Sequence, residues 1–304
     1  MKDLHELPKF RDKLSYLYIE HARIDRHENA IAFHDIEGMT PVPVAGLAVL
    51  MMGPGTSVTH AAVRILATNN CLAVWCGEEN VRFYAAGMGG TRGASRLLRQ
   101  AQLAADEETR LQVAKRMYAM RFDEPIPTGT TIETLRGMEG ARVRRAYAEA
   151  SEASGVQWHG RSYDRGDWRA TDPVNRALSA ANSCLYGICH AALLSAGYSP
   201  AIGFIHTGKQ LSFVYDVADL YKTEISVPVA FAVIADGHED EVERAARMAC
   251  RDAFRRARLL KRIIADITAL MGDTNGDDLC VYDDDEALPA DLWTPSSEEP
   301  DTVM

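Results

Sequence analysis

The sequence predicts an α+β protein in which a small N-terminal antiparallel β-domain precedes a larger, all-helical domain. Three observations carry that expectation. From residue 14 to 86, short apolar or alternating runs recur between Gly, Pro, Asn and charged turns, which is strand periodicity. Past Gly87-Met88-Gly89-Gly90 the apolar spacing becomes helical and stays so to about residue 271. After Gly272 the period disappears, and Asp, Glu, Pro and Ser dominate. The expected organisation is therefore residues 1–86 as β-domain, 87–90 as linker, 91–271 as helical domain and 272–304 as a disordered acidic tail.

In chain order, the strands are expected at Leu14 to Ile19, His21 to Asp25, Ala30 to Phe33, Ala45 to Met52, Cys71 to Cys76 and Val81 to Ala85. A helix over Thr59 to Thr68 interrupts them after the Gly53-Pro54-Gly55 turn. In the second half, Ser95 to Ala104 and Asp106 to Arg121 read as helices that stop before Glu124-Pro125-Ile126-Pro127. Thr130 with Glu133 forms a capping box for a helix running to about Ser154 and closed by Gly155. Asp172-Pro173 opens another, ending near Gly197, and Ser212 is the expected N-cap of a short one. Val227 to Ile234 fits strand or helix, and Glu239 to Met271 reads as a single long helix.

At 304 residues and 47% hydrophobic, the chain can bury a full core. No apolar run looks long enough to span a bilayer, and Met1-Lys2-Asp3-Leu4-His5-Glu6 lacks the apolar stretch of a signal peptide, so a cytoplasmic location and no membrane partner are expected. The six cysteines never form CxxC, which points to small hydrophobes in a reducing compartment. Eleven acidic residues and no Lys or Arg lie from Gly272 to Met304, which leaves residues 1–271 at about +1 against −10 for the whole chain. A polyanion partner is therefore compatible with the body of the protein if its arginines cluster. No Walker loop, GxSxG elbow or dinucleotide fingerprint occurs in the required context.

Chemistry concentrates in Gly203-Phe204-Ile205-His206-Thr207-Gly208-Lys209 and the helical run Ser212 to Asp219 that follows. That helix is apolar over most of its circumference yet carries Asp216 and Asp219, three residues apart on one side. Buried carboxylates are costly unless paired or bound to a cation. Taken alone, the segment fits equally an interior histidine with carboxylates that cap loops or pair with Lys209 and Lys222. A second anomaly shifts the balance: Leu135-Arg136-Gly137-Met138-Glu139-Gly140-Ala141-Arg142 puts two helix-weakening glycines beside a glutamate flanked by arginines. The glycines suggest close approach of another backbone or a ligand. Glu139, His206 and Asp219 together would make a carboxylate–imidazole site for Mg²⁺ or Mn²⁺ acting on a phosphoryl group. Lys209 would steady a phosphate oxygen, and Asp216 would hold a second ion or orient His206.

These runs, with Pro200 to Lys209, the Ala61-Ala62-Val63-Arg64 helix and the Val81-Arg82-Phe83-Tyr84 strand, resemble the universal adaptation integrase of CRISPR systems, the first CRISPR-associated protein, and most closely its type I-E branch. The resemblance covers residues 10 to 271. It implies an N-terminal β-domain that forms a homodimer, a helical catalytic domain, and metal held by Glu139, His206 and Asp219 with Asp216 and Lys209 in support. It further implies an enzyme that joins the 3′ hydroxyls of a captured DNA fragment to the CRISPR repeat by transesterification and cleaves branched DNA. Double-stranded DNA and a small second CRISPR-associated protein are the implied partners. The acidic tail shows no family pattern and is expected to be dispensable for chemistry.

For DNA contact, Arg244, Arg247, Arg251, Arg255, Arg258 and Arg262 form one stripe opposite an apolar face on the expected long helix, with no acid inside the stripe. Trp158 to Arg169, including Tyr163 and Trp168, alternates aromatics with arginines, which suits base stacking and equally suits a loop pinned to the core. Arg142 and Arg145 stand beside Glu139, and Arg64 and Arg82 would extend the track into the β-half. Two other functions fit the same residues: a structure-selective hydrolytic DNA endonuclease, and a non-catalytic DNA-bending scaffold with structural acids.

Overall fold

The computed structural model describes residues 15–28, 30–45, 47–78, 83–87, 94–122, 124–127, 129–162, 171–238 and 241–272. The expected linker lies largely, and the acidic tail almost wholly, outside them, as do Arg82, Tyr163 and Trp168.

Among the described residues the N-terminal half holds β1 (Ser15–Ile19), β2 (Arg23–His27), β3 (Ala30–Asp35), β4 (Gly38–Val42), β5 (Leu47–Met52), β6 (Ser57–Val58), α1 (His60–Thr68), β7 (Leu72–Cys76) and β8 (Phe83–Gly87). They form two four-stranded sheets, ordered β1-β5-β7-β8 and β4-β3-β2-β6. The expected antiparallel β-domain is not what forms. β1 pairs parallel with β5, β5 parallel with β7 and β2 parallel with β6, and only β2–β3, β3–β4 and β7–β8 are antiparallel. For β5 and β7 the cause is α1, which carries the chain across the sheet so that β7 re-enters in the direction of β5; β1 and β5 run parallel because the chain passes through β2, β3 and β4 of the other sheet between them. Every residue of β5, Leu-Ala-Val-Leu-Met-Met, is buried, because both faces of its sheet are covered. One face packs Leu47, Leu50 and Met52 with Ile24, Ile31, Ala62 and Leu66. The other sets Ala48, Val49 and Met51 against Ala191 and Leu194.

Those last two residues belong to α5 (Pro173–Ser195), the axis of the helical half. Around it lie α2 (Ser95–Ala105), α3 (Glu107–Ala119), α4 (Ile132–Ser154), α6 (Ser212–Ala218), α7 (Val227–Ala235), α8 (Val242–Arg256) and α9 (Leu259–Met271). By length and composition α5 is apolar enough to cross a membrane, contrary to the expectation that no segment is. Its apolar side chains are instead buried by neighbouring helices and by the β1-β5-β7-β8 sheet. The ambiguous 227–234 run is helical, with a proline in its first turn. The capping of α4 sits one residue later than expected: Thr131 accepts from the Thr134 N–H, while the Thr130 hydroxyl donates to the Pro127 carbonyl.

The expected long helix from 239 to 271 is broken. Arg258 stands between α8 and α9 with φ 45°, in the left-handed region. Phe254 and Ile263 both point into the core. A continuous helix would place residues nine apart on faces about 180° from each other. The break restores phase and buries both.

Candidate active site

The site is assembled where α3, α4, α6 and the turn after α6 meet. Residues 222–226 form one turn of π-helix between α6 and α7, a local widening that often marks functional positions.

Asp216, on α6, is fully buried. Its carboxylate accepts from the backbone N–H groups of Phe204 at 2.6 Å, Ile205 at 3.0 Å and His206 at 2.8 Å, and lies 2.7 Å from His206 Nδ1. The histidine loop is therefore folded around this carboxylate. Gly203 makes the wrap possible, since a Cβ there would strike the His206 carbonyl and come within 2.9 Å of Ser212 Cβ. Gly208 turns the chain back at φ 80°. Ser212 is not the N-cap: it is the first residue of α6, and its hydroxyl closes the loop by donating to the Lys209 carbonyl and accepting the Lys209 N–H. Bonding to Asp216 raises the His206 pKa against the opposing effect of burial, and the charges of Asp216 and Asp219 add to the rise. With Nδ1 engaged by a carboxylate, Nε2 is the nitrogen left to face outward.

Glu139 and Asp219 converge on one guanidinium. Arg121 Nη1 stands 3.5 Å from Glu139 Oε1 and 3.9 Å from Asp219 Oδ2, and Arg121 Nη2 donates to the Asp216 carbonyl at 3.2 Å. Each acid also has a cation of its own. Arg142 grips Glu139 with Nε at 3.0 Å and Nη2 at 3.2 Å, and donates to the Thr223 hydroxyl at 2.8 Å. Lys222 reaches Asp219 at 2.6 Å and packs over the Tyr186 ring. Burial opposes the Lys222 charge, and Asp219 with Tyr186 more than offsets it, so its pKa is raised. Of the pairings expected for an ordinary interior site, Asp219–Lys222 is present; Asp216 turns to His206.

Among the described residues, no three His, Cys, Asp or Glu side chains stand within metal-holding distance of one another. The donor set nonetheless suits a divalent cation: two carboxylates near a shared point, and an imidazole whose free nitrogen is fixed by its partner. A cleft of about 580 Å³ opens beside the histidine loop, lined by Arg110, Tyr118, Ile132, Arg136, Ile205 and Thr207. The glycines of α4 are not pressed by another backbone: a Cβ at Gly137 would meet nothing within 4 Å, and at Gly140 only Arg144 Nη1 at 3.5 Å.

The sequence puts no acid inside the arginine stripe, but in the fold four of its arginines meet acids from outside it. Arg244 pairs with Glu241, Arg247 with Glu78, Arg251 with Asp252, and Arg262 with Glu224 in two short bonds. Arg255 and Arg258, with Tyr16 and Lys261, line a second cleft at the α8–α9 break. Arg64 is exposed on α1, and Arg145 makes only a loose exposed pair with Glu149. Trp158 is pinned to the core, stacked on Tyr147 and tilted against Phe231. Arg121 and Thr223 are the site residues that sequence reasoning misses, because neither lies in a glycine-marked or apolar-helix motif.

The family model described as CRISPR associated protein Cas1 matches residues 15–124 and 119–251. The chain belongs to this family. It is 55% identical over 295 residues to the CRISPR-associated endonuclease Cas1 2 of Thermus thermophilus, covering 96% of this chain and 90% of that one. To the CRISPR-associated endonuclease Cas1 of Escherichia coli it is 47% identical over 262 residues, covering 86% and 85%. Among solved structures, the TtCas1–DNA complex superposes with a TM-score of 0.78 at 57% identity, over 87% of this chain and 99% of that one. Glu139 stands on α4, His206 in the loop before α6 and Asp219 at the C-terminal end of α6, and Glu139 and Asp219 meet at Arg121.

Proposed function

We propose that this family member is a divalent-cation-dependent DNA integrase of CRISPR adaptation, of the type I-E kind. In the proposed reaction a 3′ hydroxyl of a captured duplex gives up its proton and bonds to a phosphorus of the CRISPR repeat. The bond from that phosphorus to its bridging 3′ oxygen breaks, and the oxygen leaves with a proton. The observation that carries the reading is the convergence of Glu139 and Asp219 on Arg121 beside a histidine oriented by Asp216. Glu139, His206 and Asp219 would hold Mg²⁺ or Mn²⁺, which supplies Lewis-acid stabilisation of charge on the phosphoryl oxygens.

The chain's own residues have defined tasks. Asp216 fixes the imidazole tautomer and holds the loop. Arg142 braces Glu139 through Thr223, and Lys209, exposed at the loop's end, is placed to meet a phosphate. The bare α4 surface at Gly137 and Gly140, next to Arg136 and Arg144, suits close approach of a DNA backbone. Support for DNA as substrate comes from relatives named endonucleases and from one solved with DNA. A homodimer through the β-half and a small second CRISPR-associated protein complete the proposed assembly.

Supercoiled plasmid carrying a CRISPR array is incubated with a labelled short duplex and Mn²⁺. Covalent transfer of label to the plasmid is expected. Nicking without transfer would instead establish the hydrolytic reading. Glu139→Ala, His206→Ala and Asp219→Ala should each abolish transfer while leaving DNA binding, and unimpaired transfer in these variants would leave only a DNA-bending scaffold.

A further inference from the structure

Arg121 has no task in the reaction just described, yet it is the most buried cation in the site. Its side chain is 2% exposed, against 16% for Arg142 and 28% for Lys222. Neither acid depends on it for a partner, since Arg142 at 3.0 Å and Lys222 at 2.6 Å are nearer than Arg121 at 3.5 and 3.9 Å. Holding it there is costly. Its Nε is buried with no hydrogen-bond partner, a loss of about 1–3 kcal/mol. What keeps it in place is the Asp216 carbonyl and the ring of Tyr118, 5.2 Å from the guanidinium carbon. Arg121 therefore contributes a positive charge at the point shared by two proposed ligands, with little bonding to either.

Two carboxylates (Glu139, Asp219) face three cations (Arg121, Arg142, Lys222), while the Asp216 carboxylate is taken up by His206 and three backbone N–H groups, so the acids of the site are already fully countered without a metal ion. A divalent cation arriving next to a buried guanidinium meets repulsion that low-dielectric surroundings screen poorly. A phosphodiester brings the negative charge that would offset it. We propose that Arg121 is a built-in counter-ion that keeps the site's affinity for a divalent cation low until nucleic acid is bound, so that cation and DNA load together. By linkage, the cation must then tighten DNA binding by the same factor. The inference rests on the reading that Glu139, His206 and Asp219 hold the cation.

The test is Mn²⁺ binding to the full chain, followed as loss of the free-ion EPR signal at about 0.15 M salt, with and without a short duplex and with duplex alone as control. Arg121→Gln removes the charge while keeping a donor for the Asp216 carbonyl, Arg121→Met removes both, and Arg121→Lys keeps the charge. Without DNA, the Gln and Met variants should bind Mn²⁺ at least about tenfold more tightly than the native protein, and the Lys variant should stay near native. The duplex should tighten binding to the native protein by a similar factor and to the Gln variant by much less. A Gln variant no tighter than native, or a Lys variant as tight as it, overturns the proposal. Should the neutral variants not fold, native affinity that DNA leaves unchanged overturns it equally. Glu139→Ala and Asp219→Ala separate the two ideas. If they leave Mn²⁺ affinity intact, the metal reading falls and takes this inference with it; if they weaken it while Arg121→Gln tightens nothing, only the counter-ion role is lost.

Discussion

Asp216 is the side chain around which the histidine loop is wound. A fully buried carboxylate is tolerated only with full hydrogen bonding, and here three backbone N–H groups and an imidazole provide it. Asp216→Asn replaces one acceptor oxygen with an NH₂ that faces donors, so stability should fall by about 2–4 kcal/mol in urea unfolding. The same substitution removes the main cause of the raised His206 pKa, and its NMR titration midpoint should move down. A midpoint that stays put would mean that Asp219, not Asp216, holds the His206 pKa up. This pairing was half legible in the sequence: two acids on an apolar helix next to a histidine demanded partners. Arg121 was not legible, because its role depends on α3 ending where α4 and α6 meet, which no local pattern encodes.

The α8–α9 break shows how much a secondary-structure element reveals when its buried face is followed. Val242, Ala246, Cys250 and Phe254 drift round one side of α8, and Leu259, Ile263, Ile267 and Leu270 occupy another sector on α9. The change of phase was there to be read, although no Gly or Pro marks it. The all-apolar β5 and the helix between β5 and β7 likewise signalled parallel pairing. β4 was invisible: it is an exposed edge containing Pro41, with no alternation to detect. Arg258 carries the cost of the break, about 1–2 kcal/mol for a left-handed non-glycine residue. Arg258→Gly should therefore be neutral or stabilising by up to about 1 kcal/mol after the unfolded-state entropy is counted, and Arg258→Val destabilising by more than about 1 kcal/mol. Equal stability of the two in urea unfolding would show that residue 258 bears no left-handed strain.

At the scale of the molecule, the β-half and the helical half share a seam along α5, where Ala191 and Leu194 meet β5 and β7 and the His190 ring stacks on Phe83 of β8 at 3.6 Å. Burial at this seam lowers the His190 pKa from 6.5 to about 4. The unfolded chain therefore binds a proton there between pH 6.5 and about 4 that the folded protein does not. Stability is complete above the unfolded pKa and declines as pH falls through that window. His190→Phe keeps an aromatic ring against Phe83 and removes the proton. Over the same window the native protein should lose about 1–2 kcal/mol more than the variant, the full shift being trimmed by the ring's partial exposure. Urea midpoints at pH 7, 5.5 and 4.5 on both proteins measure the difference. Parallel pH profiles would place the acid sensitivity among the carboxylates of the site and relieve the seam of any part in it.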